Sequence, residues 1–362
     1  MKHILAAIAL ASMGTVACGS DKTPGAKAHH PTKEAADDGG DSWGSSDGGT
    51  SHAIALDECG LSTGFDGDDQ CILPPPPDKG FQLHVGPSDY DNPDELYMLQ
   101  PGEEKTDDIP GVSTNDSDVF FFYRQYRVRP STHHIIITAA NGSDVIAGRR
   151  IGTANLSEDY PTGGVIAPED QGVGLPLAAH AQINSNFHTI NTTDKPAIRE
   201  AWINFWYRDA SLVTQPATEW FETGDITFSI PPHTSQTLGP YTCSIDNDGR
   251  LLWMYGHRHA NNTRFTATRI RGDQRDVIYD ADKWDEPLML EYSSLVANPT
   301  PNIPSREGGW SGILDLSPGD KVEWKCEVTN DHDTALRFTN QTLLGEMCIV
   351  DAEAVGSNCL GF

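Results

Sequence analysis

Ala179-His180-Ala181-Gln182-Ile183-Asn184-Ser185-Asn186-Phe187-His188 alternates without a break. On an extended chain His180, Gln182, Asn184, Asn186 and His188 fall on one side, and Ala181, Ile183, Ser185 and Phe187 on the other. The second side is a core face. The first is polar through amides and imidazoles rather than charges, which is more than solubility requires. On a straight strand His180 and His188 stand about 26 Å apart, too far to share a metal ion. Working outward, β-branched or aromatic runs at 81–85, 118–128, 134–139, 178–190, 201–207, 226–230, 251–259, 264–270, 288–292, 321–328 and 343–349 are separated by Gly, Pro, Asn and Asp clusters. Short strands so spaced predict an all-β protein built from antiparallel sandwiches.

Composition agrees. Gly at 34 and Pro at 24 of 362 residues, with no long stretch of helical periodicity, disfavour a helical bundle. The length allows about two domains. Pro231-Pro232-His233-Thr234, followed by Leu238-Gly239-Pro240, interrupts the strand pattern and sets the expected boundary, giving domains over 58–232 and 233–362. Fifty-two acidic against 25 basic residues, a formal charge of −27, exclude nucleic acid as a partner.

Met1-Lys2-His3 and an apolar run to Ala17 read as a signal peptide over residues 1–18. Thr15-Val16-Ala17-Cys18-Gly19-Ser20 resembles a bacterial lipobox, with Thr15 where Leu is usual. Cys18 is then the expected lipidation site. The chain is expected to be exported as an outer-membrane lipoprotein facing the periplasm or cell surface, touching the membrane only through that anchor, and to be a monomer. Residues 19–57 have almost no large apolar side chains and read as a disordered tether, where His29, His30 and His52 are solvated linker residues.

Without Cys18 the cysteines are Cys59, Cys71, Cys243, Cys326, Cys348 and Cys359. An even set in an oxidising compartment reads as three disulfides. Proximity favours Cys59–Cys71; the remaining pairing stays open on these grounds.

Thirteen histidines occur in the chain, and those beyond the tether are sorted by their place in the strand pattern. His257-Arg258-His259 places two imidazoles on the same face of a strand, about 6–7 Å apart at the backbone, which is chelating geometry. His133-His134 would normally point to opposite faces, so both rings reach one ion only if the chain bulges just before the strand, as Pro130-Ser131-Thr132 permits. Met347, in Glu346-Met347-Cys348, offers a thioether. Two histidines with one methionine form a soft set that prefers copper.

His133-His134, Phe187-His188-Thr189-Ile190-Asn191, His257-Arg258-His259, and Glu346-Met347-Cys348 preceded by Ser317-Pro318-Gly319-Asp320 occur in this order. In that order and spacing the chain resembles the copper type II, ascorbate-dependent monooxygenases, the group of peptidylglycine α-hydroxylating monooxygenase and dopamine β-monooxygenase. The likeness covers roughly residues 80–360. It implies two jelly-roll-like sandwiches of eight or nine strands facing one another across a solvent-filled cleft, each with one copper ion. His133, His134 and His188 would hold the electron-transfer copper. His257, His259 and Met347 would hold the copper that meets dioxygen and act catalytically. The resemblance also implies ascorbate or an equivalent reductant, a small-molecule or peptide substrate, and the disulfides Cys243–Cys359 and Cys326–Cys348. The family's carboxylate-binding positions are occupied here by Tyr255, Ile349 and Asp351. A C-terminal glycine is therefore not the expected substrate, and Asp351 reads as a surface residue.

Overall fold

Frequent Gly and Pro breaks leave room for strands and single 3-10 turns only, and the chain forms these and no longer helix among its described residues. The computed structural model describes residues 59–140, 149–285, 289–300 and 308–361. The expected leader, Cys18 and the tether lie outside them. No helix among the described residues is long and apolar enough to cross a membrane.

The all-β expectation holds. One long sheet runs in the order Gly80–Val85, Ala201–Arg208, Val119–Val128, Val173–Leu177, Gln215–Thr223, Cys348–Val355, Gly249–Arg258 and Leu290–Glu291. A four-stranded sheet (Glu104–Val112, Gln182–Ile190, Thr132–Ala140, Arg149–Ala154) accompanies its N-terminal half. A six-stranded sheet accompanies the other half, with Asn262–Arg271, Lys321–Asn330 and Thr234–Ile245 at its centre.

Two apolar cores result. The first gathers Phe121, Ile135, Ile137, Ile183, Phe187 and Phe205, and the second Phe265, Tyr279, Trp324, Val350 and Ala352. Core-facing residues of Gln182–Ile190 alternate as expected: Ile183, Ser185 and Phe187 are buried while Asn184 and Asn186 are half-buried. The cores change over within Gln215–Thr223, where Ala217 belongs to the first and Trp220 to the second. That strand lies ahead of Pro231-Pro232. It pairs in parallel with Val173–Leu177 and antiparallel with Cys348–Val355, so the long sheet is continuous between the halves.

Leu238-Gly239-Pro240 does not end the strand pattern. It lies inside Thr234–Ile245, whose register against Lys321–Asn330 shifts between Leu238 and Tyr241. Gly239 adopts φ +94°, and a Cβ there would meet Trp324 O at 2.8 Å, so the bulge absorbs a proline that cannot donate to the ladder. The expected 343–349 strand likewise begins only at Cys348. Residues before it turn around the Glu346 side chain, which accepts hydrogen bonds from two backbone N–H groups.

Three disulfides are formed: Cys59–Cys71, Cys243–Cys359 and Cys326–Cys348, with Cα separations of 5.7, 5.5 and 5.9 Å. The second joins neighbouring strands of the six-stranded sheet. The third ties that sheet to the long one, directly beside Met347.

Polar side chains also cross between the halves. Arg124 reaches Glu219 at 3.2 Å and Glu353 at 2.8 Å, all three side chains being buried. Asp351 is buried too, contrary to its reading as a surface residue: it pairs with Arg150 from the four-stranded sheet. Burial pushes its carboxyl up to about 6, with the Arg150 guanidinium opposing.

Candidate metal centre

In the Thr132–Ala140 strand the register against Gln182–Ile190 shifts between Thr132 and His134. This is the bulge that adjacent histidines need if both rings are to reach one point. His134 then faces His188 across the ladder. From the long sheet, His257 lies near the end of Gly249–Arg258 and His259 just beyond it.

These five rings meet. The centroid of His133 lies 5.2 Å from that of His134, 4.9 Å from His188, and 5.3 Å from both His257 and His259. His134 and His257 are 4.9 Å apart. Ligand atoms of His133, His134 and His188 lie within 4.8 Å of one another, and so do those of His133, His257 and His259. Among the described residues no solvent-filled cleft divides the two histidine groups: their rings approach to about 5 Å, and the continuous sheet and buried cross-ties join the halves. All five side chains are at most 6% exposed.

Hydrogen bonds outside the cluster determine which nitrogens face inward. Asn186 donates through Nδ2 to Asp108, which turns its Oδ1 toward His134 Nε2 at 3.3 Å and leaves His134 Nδ1 without a protein partner. His188 Nε2 lies 2.8 Å from Glu104 Oε1, which also accepts from the Thr342 N–H at 2.6 Å. Such a carboxylate fixes the tautomer with Nδ1 as the available lone pair. Tyr255 Oη stands 2.8 Å from His257 Nδ1 and accepts from Asn155 Nδ2 at 2.6 Å. With Nδ1 engaged by that hydroxyl, His257 Nε2 is the ring nitrogen left for the cluster. His133 Nε2 is buried without a hydrogen-bond partner; the His259 ring, likewise buried, has the Gly345 and Gln341 backbones as its polar neighbours.

Burial and the neighbouring imidazoles push His133, His134 and His257 well below the usual histidine range, and His259 down to about 3. These four imidazoles are therefore neutral at pH 7 and rich in lone pairs. Glu346 stands behind the second group. Its Oε1 accepts from the N–H groups of His259 and Met347, each at 2.8 Å, so one carboxylate holds both backbones. Burial pushes that carboxyl up to about 8, against the pull of those hydrogen bonds.

Of the expected site residues, His133, His134, His188, His257 and His259 come together. Met347, 7% exposed, is held beside His259 through Glu346. His180 does not join them: it sits at φ +49° outside the strand, exposed, 3.5 Å from Asp116. Glu104, Asn155 and Thr342 are new to the site. Glu104 lies in the charged run Glu103-Glu104-Lys105, which carries no sequence signal for a histidine partner. Asn186 was visible as part of a polar strand face.

The residues fit a transition metal. Buried neutral imidazoles with unpaired inward nitrogens cost free energy unless something accepts their lone pairs, and imidazole suits copper, zinc, iron and nickel.

No protein-family model matches the chain, and no curated protein does. Among solved structures, the STIV MCP matches at a TM-score of 0.29 and 10% identity, over 73% of this chain and 96% of that one. A likeness at that level says nothing about activity.

Proposed function

We propose that the protein is a copper-dependent monooxygenase that hydroxylates a C–H bond of a small organic or peptide-like substrate, using dioxygen and a one-electron reductant such as ascorbate. The observation that supports this reading is the convergence of five buried imidazoles, with unpaired nitrogens, from two sheets. His133, His134 and His188 would hold one copper, and His257, His259 and Met347 a second. Copper in these positions would supply a one-electron couple and the capacity to react with dioxygen. The protein's own contribution is to keep His133, His134, His257 and His259 neutral, orient the rings of His134, His188 and His257 through Asn186, Glu104 and Tyr255, and exclude bulk water. Met347 would add a soft ligand, oriented by Glu346 and by the Cys326–Cys348 staple that follows it.

Export and anchoring through Cys18 belong to the same proposal, and three disulfides suit an oxidising compartment. A second reading, copper binding without turnover, draws on the burial of all five histidines. Anaerobic copper titration followed by ascorbate and oxygen separates the two. The monooxygenase reading expects ascorbate-dependent oxygen uptake by the loaded protein. Copper retention without uptake favours the second reading, and failure to retain copper overturns both.

A further inference from the structure

Beside the histidine cluster lies a cavity of about 370 Å³, within the range of small-molecule sites, and His133 is part of its wall. Its chemistry is distinctive. Gln70, Ser131, Thr132, Asn155, Ser157 and Thr192 give it amides and hydroxyls from four separate stretches of chain, of which Ser131 Oγ, Asn155 Nδ2 and Ser157 Oγ are already bonded within the protein. Thr132 Oγ1, in a residue 8% exposed, is buried without a hydrogen-bond partner, as is His133 Nε2. Trp284 adds an indole 6.2 Å from the His133 ring, and Leu156 adds aliphatic surface.

The cavity is poorly suited to anions. Arg129 is its basic lining residue, and that guanidinium is committed: Nε to Glu200 at 2.8 Å, one terminal nitrogen to Asp68 at 2.9 Å, the other to the Asp66 carbonyl at 2.9 Å. The remaining charged lining residue is the exposed Asp285, and the whole chain carries −27. A carboxylate or enolate entering here meets no free counter-charge.

A flat indole together with neutral polar groups, among them the unpartnered Thr132 hydroxyl, matches a ring that is hydroxylated at its rim and C–H-bearing on its face. We propose that this cavity binds an uncharged sugar ring, placed against His133. As a substrate site the inference rests on the copper reading; as a binding site it does not.

Calorimetric titration of the metal-free full chain with glucose, galactose, mannose, xylose and N-acetylglucosamine tests it, with glucuronate and ascorbate as anionic comparators. At least one neutral sugar is expected to bind, with glucuronate and ascorbate about tenfold weaker or undetectable. Trp284→Leu and Thr132→Val should each weaken that sugar by about tenfold while keeping the wild-type melting temperature within a few degrees. Thr132→Val nearly preserves side-chain shape and serves if Trp284→Leu fails to fold. No binding by any neutral sugar, equal binding of glucuronate, or unchanged affinity in Thr132→Val and a folded Trp284→Leu would overturn the proposal. Sugar binding by a protein that retains no copper would uphold the binding site and remove its role as a substrate site.

Discussion

The two histidine groups sit side by side but are held differently. His134 and His188 project from paired strands and are oriented by side chains, Asn186 and Glu104. His257 and His259 stand at the end of a strand, where Tyr255 orients one ring and Glu346 holds the backbone of the other. Next to this second group lies Cys348, cross-linked to Cys326. The first group thus depends on a bulged ladder, whereas the second depends on disulfide-stapled sheets and one buried carboxylate. Conditions that weaken the C-terminal core should release the second group first.

The largest test of that difference removes Cys243–Cys359. Its sequence separation of 116 residues corresponds to about 4–5 kcal/mol of stability in the chain-entropy account. A Cys243→Ala/Cys359→Ala double variant should lose most of that in denaturant melts. Hydrogen exchange should rise in Thr234–Ile245 and Lys321–Asn330 more than in Gln182–Ile190. Uniform loosening of both cores would show that they do not differ in this way.

Next comes the joint between the halves. Arg124→Met strands Glu219 and Glu353 as buried, unpaired carboxylates and should cost about 3–5 kcal/mol. Glu219 is already pushed up to about 8 by burial, with Arg124 opposing. The variant's deficit should therefore grow as pH rises above about 8, where Glu219 ionises in the wild type but has lost the opposing guanidinium in the variant. A variant with wild-type stability would mean that this bridge does not hold the halves.

Acidification separates the metal-free centre from the rest. Unfolded histidine binds a proton below about pH 6.5, but folded His259 resists protonation down to about 3. Its contribution is full above pH 6.5 and falls as pH drops toward 3, a loss of about 2 kcal/mol by pH 5. His133, His134 and His257 act in the same direction. Urea melts of apo wild type and apo His259→Gln should converge on going from pH 7 to pH 5. Parallel pH profiles would place His259 in solvent.

The smallest effect belongs to Tyr255→Phe, which removes the oxygen between Asn155 and His257 and should cost about 1 kcal/mol. Copper affinity should fall in the second group and remain unchanged in the first. Equal weakening of both would mean that Tyr255 supports the cluster only through packing.

Much of this architecture was legible in the sequence because β-structure writes itself at period two: the alternation through Ile183, Ser185 and Phe187 survives intact. The bulge before His134 was readable as a requirement, since two adjacent imidazoles reach one point in no other way. Less legible were strands such as Glu104–Val112, whose Glu-Lys-Thr-Asp-Asp start hides a pairing set by its neighbour rather than by propensity. Asp351 was misread because its partner, Arg150, lies two hundred residues away in sequence and is brought near only by the meeting of the halves. The same long-range closure brought the two histidine groups together.

The central claim is that this cluster is a copper centre with two separable groups. Copper per chain, measured after anaerobic dialysis against Cu(I) for wild type and for His257→Ala, tests it most directly. The account predicts about two coppers retained by the wild type and about one by the variant. Two coppers in His257→Ala, or none in the wild type, would contradict it.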